Sequence, residues 1–174
     1  MKKNKYINKS ITINIIILMN PSNIRRIQNE LKIIEKEKEK HGNLFTVDMI
    51  NDNVYNWKAC IKGPENSLYD NYKFDLDIQI PNDYPYSPPK VKFITPIKHM
   101  NINDKGDICL NILKKDGWSA SQNIISILLS IIVLLDQPNS DDPFNSELAQ
   151  LYRNNLKLYQ DTIKNFCKKN SSIW

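Results

Sequence analysis

Cysteine and histidine are scarce in this chain. Among 174 residues there are three cysteines, Cys60, Cys109 and Cys167, and two histidines, His41 and His99. The thiols are odd in number and far apart, which speaks against a disulfide framework and for a reducing compartment. No pair of ligands stands at the short spacing of a structural zinc site, so any chemistry at cysteine must be sought one residue at a time. Long apolar runs are missing too. None approaches the roughly 20 residues that a helix needs to cross a bilayer, so no transmembrane span is expected. Positive charge is confined to one end: residues 1–40 carry ten Lys/Arg against four Glu, a net of +6, within a whole-chain charge of +5. That basic region has no interleaved aromatics and no recognition motif, so nucleic acid is not the expected partner.

What is present fits one globular domain, with 41% of residues hydrophobic and 25% charged. Residues 1–20 join a Lys/Asn-rich start to an apolar run over 11–19. This stretch resembles a weak targeting peptide without a good cleavage site, and is read as an N-terminal extension, flexible or targeting. A catalytic-size domain is expected over 21–170. From Pro21, Ile24, Ile27, Leu31 and Ile34 recur at helical spacing up to the charged stretch Glu35 to Lys40. Four β-prone segments follow, near Phe45 to Ile50, Tyr55 to Ile61, Lys73 to Ile80 and Val91 to Thr95. The alternation of Phe74, Leu76, Ile78 and Ile80 with polar residues buries one face only, as in an antiparallel meander backed by helices. Short links between consecutive strands make the fold class α+β.

Residues 96–120 show no sustained period, and long irregular segments usually carry function. Ile124 to Leu135 is apolar almost all round, predicting a buried helix capped by Asn123. Leu148, Leu151, Tyr152, Leu156, Tyr159, Ile163 and Phe166 predict one last helix. Cys109 is the one cysteine of the irregular segment, in Gly106 to Leu113 (GDICLNIL). Cys60 lies in a strand and Cys167 late in a helix, settings that suit packed thiols. On residue context alone Cys109 is open between nucleophile and incidental thiol. Asp141-Asp142 before Pro143 reads as a solvated turn.

The stretch from Trp57 to Phe93, with its Tyr-Pro-x-x-Pro-Pro loop at Tyr84 to Pro89, resembles the ubiquitin-conjugating enzyme family. So do His99-Met100-Asn101, Cys109, Trp118-Ser119, Pro138-Asn139 and Asp141-Asp142-Pro143, and the flanking helices extend the likeness from about Asn23 to Phe166. The resemblance implies a four-stranded antiparallel β-meander flanked by an N-terminal helix, a central buried helix and C-terminal helices. It implies that Cys109 takes ubiquitin or a ubiquitin-like protein from an activating enzyme as a thioester and passes it to a substrate lysine, usually with a ligase. Such chemistry needs no ATP, metal or cofactor of the chain's own. Asn101 is implied to support the thioester loop and stabilise an oxyanion, and Asp142 to orient and deprotonate the incoming lysine. His99 is implied to hold the loop.

Partner contact with the activating enzyme and RING-type ligases is implied for Arg25 and Arg26 on an exposed helix face, for Tyr86 and Pro88 in the proline loop, and for Ala120. A cytoplasmic or nuclear setting is expected, the N-terminal apolar segment leaving organelle targeting open. Two departures stand out. Met100 replaces the family's proline and is expected to loosen Asn101, and Ala120-Ser121 replaces Pro-Ala. Two other classes stay open: a catalytically impaired ubiquitin-binding variant acting as a scaffold, and a cysteine hydrolase built on Cys109, His99 and an aspartate.

Overall fold

The computed structural model describes residues 21–41 and 43–174. The readings of residues 1–20 lie outside the described residues. Helix α1 (Pro21–His41) opens the fold. Proline suits a first helical turn, where its missing N–H has no partner to lose. Ile27 is buried, and Ile24, Leu31 and Ile34 are half-buried on the same side. That face also buries Glu30, which the apolar pattern does not announce.

Strands β1 (Phe45–Ile50), β2 (Asn53–Lys62), β3 (Tyr72–Gln79) and β4 (Lys90–Phe93) form an antiparallel meander in chain order. The sequence-based bounds differ by one or two residues at most strand ends. A two-residue turn joins β1 to β2, and Asn51 and Asp52 both hold positive φ, 51° and 55°, which asparagine and aspartate tolerate better than most side chains. Phe74, Leu76 and Ile78 are fully buried on one face, each worth about 1.5–3 kcal/mol of burial.

Helix α2 (Ile124–Asp136) packs toward β2 and buries eight of its thirteen residues. Asn123 caps it reciprocally: its Oδ1 accepts from Ser126 N at 2.8 Å and its own N donates to Ser126 Oγ at 3.0 Å. Such caps stabilise by about 1 kcal/mol.

The single last helix expected from periodicity is two helices, α3 (Ser146–Asn154) and α4 (Leu156–Asn170). Asn155 breaks them apart. Its backbone leaves the helical region at φ −151°, and its side chain accepts from Leu158 N at 3.1 Å, so one residue ends α3 and caps α4. Asparagine competes for backbone hydrogen bonds in this way. The break rotates the apolar stripe: Tyr159, Ile163 and Cys167 are buried, whereas Leu156 is exposed. A two-residue strand β5 (Ser172–Ile173) then pairs with β3.

Candidate active site

The chain leaves β4 and runs through residues 96–120 without a long element, held by a few specific bonds. Ile102 N donates to His99 O at 3.2 Å, closing a turn with Met100 in its second position. Asn101 N donates to His99 Nδ1 at 3.0 Å, so Nδ1 carries no proton and Nε2 donates to Leu134 O at 3.1 Å. His99 is therefore the neutral Nε2–H tautomer, with neither ring nitrogen left for a thiol. Burial pushes its pKa down to about 4.

Asn101 is fully buried. Its Nδ2 donates to Asn139 O at 2.7 Å and to Asp142 O at 3.1 Å, while its Oδ1 accepts from Asn139 N at 2.9 Å. One amide thus ties the 139–142 loop to the segment that carries the thiol. Its backbone does the rest, since Cys109 N donates to Asn101 O at 2.8 Å. Between them Gly106 turns the chain at φ +80°, where any Cβ would stand 2.2 Å from Phe93 O. Only glycine fits there without moving the β4 end.

Met100 does not loosen this frame. Its side chain is fully buried and its carbonyl accepts from Asn145 N at 3.0 Å, so packing supplies the restraint that a proline ring would supply through φ.

At the surface, Asp142 Oδ2 accepts from Cys109 Sγ at 3.2 Å and from Lys114 Nζ at 3.1 Å. Cys109 is half-buried, whereas the side chains of Lys114 and Asp142 are 52% and 65% exposed. Desolvation and the hydrogen bond to Asp142 raise the Cys109 pKa, which Lys114 opposes. The bonds from Lys114 and Cys109 lower the carboxyl pKa of Asp142, and Asp142 raises that of Lys114. The resting thiol is protonated, parked on a carboxylate that stays charged.

Sequence reasoning did not find Lys114. The 3₁₀ turn Asn111–Leu113 lies between Cys109 and Lys114, whose Nζ meets Asp142 Oδ2, and nothing in the local pattern announces that turn. The other thiols sit in regular elements: Cys60 is half-buried on β2 and Cys167 is buried in α4, and desolvation pushes both to about 11. Among the described residues no three His, Cys, Asp or Glu side chains gather as they would around a metal ion. No helix among them is long and apolar enough to cross a membrane.

A second cluster lies where α1 meets two loops. Tyr86 is 80% exposed, Pro88 is half-buried, and Arg25 and Ala120 are exposed. Arg26 is not free as the family resemblance implied. Its Nε donates to Glu30 Oε1 at 2.8 Å and its Nη1 to Ala120 O at 2.6 Å, and Nη2 reaches Gln122 O and Tyr84 OH. The guanidinium also lies 5.1 Å from the Tyr84 ring centroid. Buried Glu30 creates this demand, because its carboxylate needs a cation as well as the donors Tyr84 OH at 2.6 Å and Ile124 N at 3.0 Å. Trp118 Nε1 donates to Pro85 O at 2.7 Å, stitching the two loops together.

Comparison with known proteins gives the chain's family. A chain of Acanthamoeba polyphaga mimivirus named a probable ubiquitin-conjugating enzyme E2 is 65% identical over 156 residues, covering 90% of this chain and 99% of that one. An Arabidopsis thaliana chain of the same description is 43% identical over 129 residues, 74% of this chain and 83% of its own. A crystal structure from Plasmodium yoelii, described as a ubiquitin conjugating enzyme, superposes with a TM-score of 0.77 at 41% identity, covering 86% of this chain and 96% of its own. The family model for ubiquitin-conjugating enzymes matches residues 26–167, which takes in the meander, the irregular segment with Cys109 and both C-terminal helices, and the chain belongs to that family.

Proposed function

We propose that Cys109 carries ubiquitin, or a ubiquitin-like modifier, as a thioester and releases it to a lysine. In charging, the Cys109 thiolate attacks the thioester carbonyl presented by an activating enzyme. The new bond to Sγ forms as the bond to the donor sulfur breaks, and the donor leaves as a thiol. In discharge, a neutral amine attacks the same carbon, an amide forms as the bond to Sγ breaks, and the one proton that the nitrogen sheds to solvent is balanced by the one that Sγ takes up. The single observation carrying this reading is Cys109 itself, half-exposed, tethered through its N–H to Asn101 O and bonded to Asp142.

Asp142 is best placed to position the incoming amine. Its charge alone would raise an amine's pKa, and its own lowered pKa makes it a weak base, so its gain comes from orientation. Asn101 acts as the frame that holds Asp142, because its amide hydrogens are already spent on two carbonyls. A docked ligase would meet Tyr86, Ala120 and Arg25, the exposed members of the second cluster.

Incubation with activating enzyme, modifier and ATP should give a thiol-labile adduct on the wild-type chain and on Cys60→Ala and Cys167→Ala. Cys109→Ser should give at most a thiol-resistant ester, and Cys109→Ala nothing. A thioester persisting on Cys109→Ala refutes the assignment.

A further inference from the structure

We infer that Arg26 is a positioning residue that shapes a partner-docking loop from beneath, and that it does not itself read the partner. The inference rests on the docking role proposed above for Tyr86 and Ala120. Three observations carry it. First, Arg26 spends its fork internally, on Glu30, Ala120 O, Gln122 O and Tyr84 OH. A guanidinium engaged on two carbonyls of one loop, an acid of its own helix and a tyrosine has little left to offer outward.

Second, the loop it grips closes on itself through Ser119, Ser121 and Gln122 but has no proline ring to fix its backbone. Gln122 N donates to Ser119 O at 2.9 Å, closing a turn with Ala120 in the second position, and Ser119 N donates to Gln122 Oε1 at 2.9 Å. Proline is favoured at that second position because its ring fixes φ. Here the position holds alanine, and the two Arg26 bonds hold the turn at Ala120 itself and at its last residue, Gln122.

Third, the anchor beneath is rigid. Glu30 is fully buried and bonds α1 to Tyr84 and to the first N–H of α2, while Trp118 joins the loop to Pro85 beside Tyr86. Arg26 therefore transmits the position of α1 to the Ala120 loop. Arg25, exposed one residue earlier, is the cation left for an acidic partner.

The test combines amide exchange on the uncharged chain with single-turnover discharge to lysine, with and without a RING-type ligase that stimulates the wild type. In Arg26→Ala, exchange at Ser119 and Gln122 should speed about tenfold as charge-assisted bonds are lost. The stimulation ratio should fall at least about fivefold, beyond any change in unstimulated discharge. Arg26→Lys should behave like Arg26→Ala, because a single ammonium cannot span both carbonyls. Adding Ala120→Pro to Arg26→Ala should restore both slow exchange and stimulation.

If the buried Glu30 unfolds Arg26→Ala, Arg26→Met with Glu30→Gln removes cation and anion together and is read the same way. Unchanged exchange overturns the inference, as does retained stimulation in Arg26→Lys, which would mark Arg26 as a direct charge contact. Restored exchange without restored stimulation overturns it equally. A chain that never charges refutes the proposed function instead, and leaves the exchange result to stand alone.

Discussion

Asn101 and Asp142 flank one thiol and are held in opposite ways. Asn101 is fully buried, with both amide hydrogens and the oxygen engaged, while the side chain of Asp142 is 65% exposed and, among the described residues, its carboxylate bonds the Cys109 thiol and a surface lysine. Burial makes the first a fixed part of the frame, since each unpaired group left behind costs about 1–3 kcal/mol. Exposure makes the second exchangeable, since its partners trade against water at little cost. Under the proposed reaction, the group that meets a transient amine belongs in the exchangeable class.

The largest expected effect tests the frame. Asn101→Ala should slow discharge about 10²-fold or more, because the loop that positions Asp142 shifts, and lower stability by about 3 kcal/mol, since it strands two carbonyls and an N–H. Because its amide acts through the 139–142 loop, Asn101→Ala combined with Asp142→Ala should be little slower than Asn101→Ala alone. Multiplied losses would instead make Asn101 a direct oxyanion donor. Single-turnover discharge of preformed thioester, with charging as a fold control, reads the cycle.

Asp142→Ala alone should slow discharge up to about 10²-fold, by much the same factor from neutral pH to the free-lysine pKa of about 10.4, because orientation of the amine is what is lost. A deficit that shrinks as pH rises would instead make Asp142 a general base.

A third effect concerns His99 and is read in stability. Its folded pKa of about 4 lies below the ordinary 6.5, so between those values the unfolded chain binds the proton more tightly. The stability from neutral burial is whole above pH 6.5 and falls as pH drops toward 4, by about 2 kcal/mol between pH 7.5 and 5. Denaturant midpoints should show this loss in the wild type and a shallower one in His99→Gln. Equal slopes would mean that His99 titrates freely. The smallest chemical effect belongs to Met100→Pro. Turn position two accepts proline, so charging and discharge should stay within about twofold of wild type, while melting falls because a buried side chain is lost.

Much of this was legible in the chain. The alternation at Phe74, Leu76 and Ile78 and the capped apolar run after Asn123 follow from period and cap chemistry, and the structure repeats them closely. The Asn155 break was not, because Leu156 continues the helical spacing while the asparagine quietly offers a cap. The irregular segment placed Cys109, but not the tertiary return that brings Lys114 and Asp142 to one oxygen. Arg26 shows the same limit: the family resemblance put it on an exposed helix face, and a buried Glu30 one turn away drew it inward.

The shared oxygen of Asp142 has a further consequence under the proposed reaction. A free thiol donates its proton to that oxygen, but a thioester sulfur has none to give. Arrival of the cargo therefore vacates one lone pair beside the reactive carbon, leaving Lys114 as the remaining donor. The empty chain thus keeps its amine berth occupied with its own proton, and the loaded chain presents it vacant, so the readiness to receive an amine is timed by the load itself.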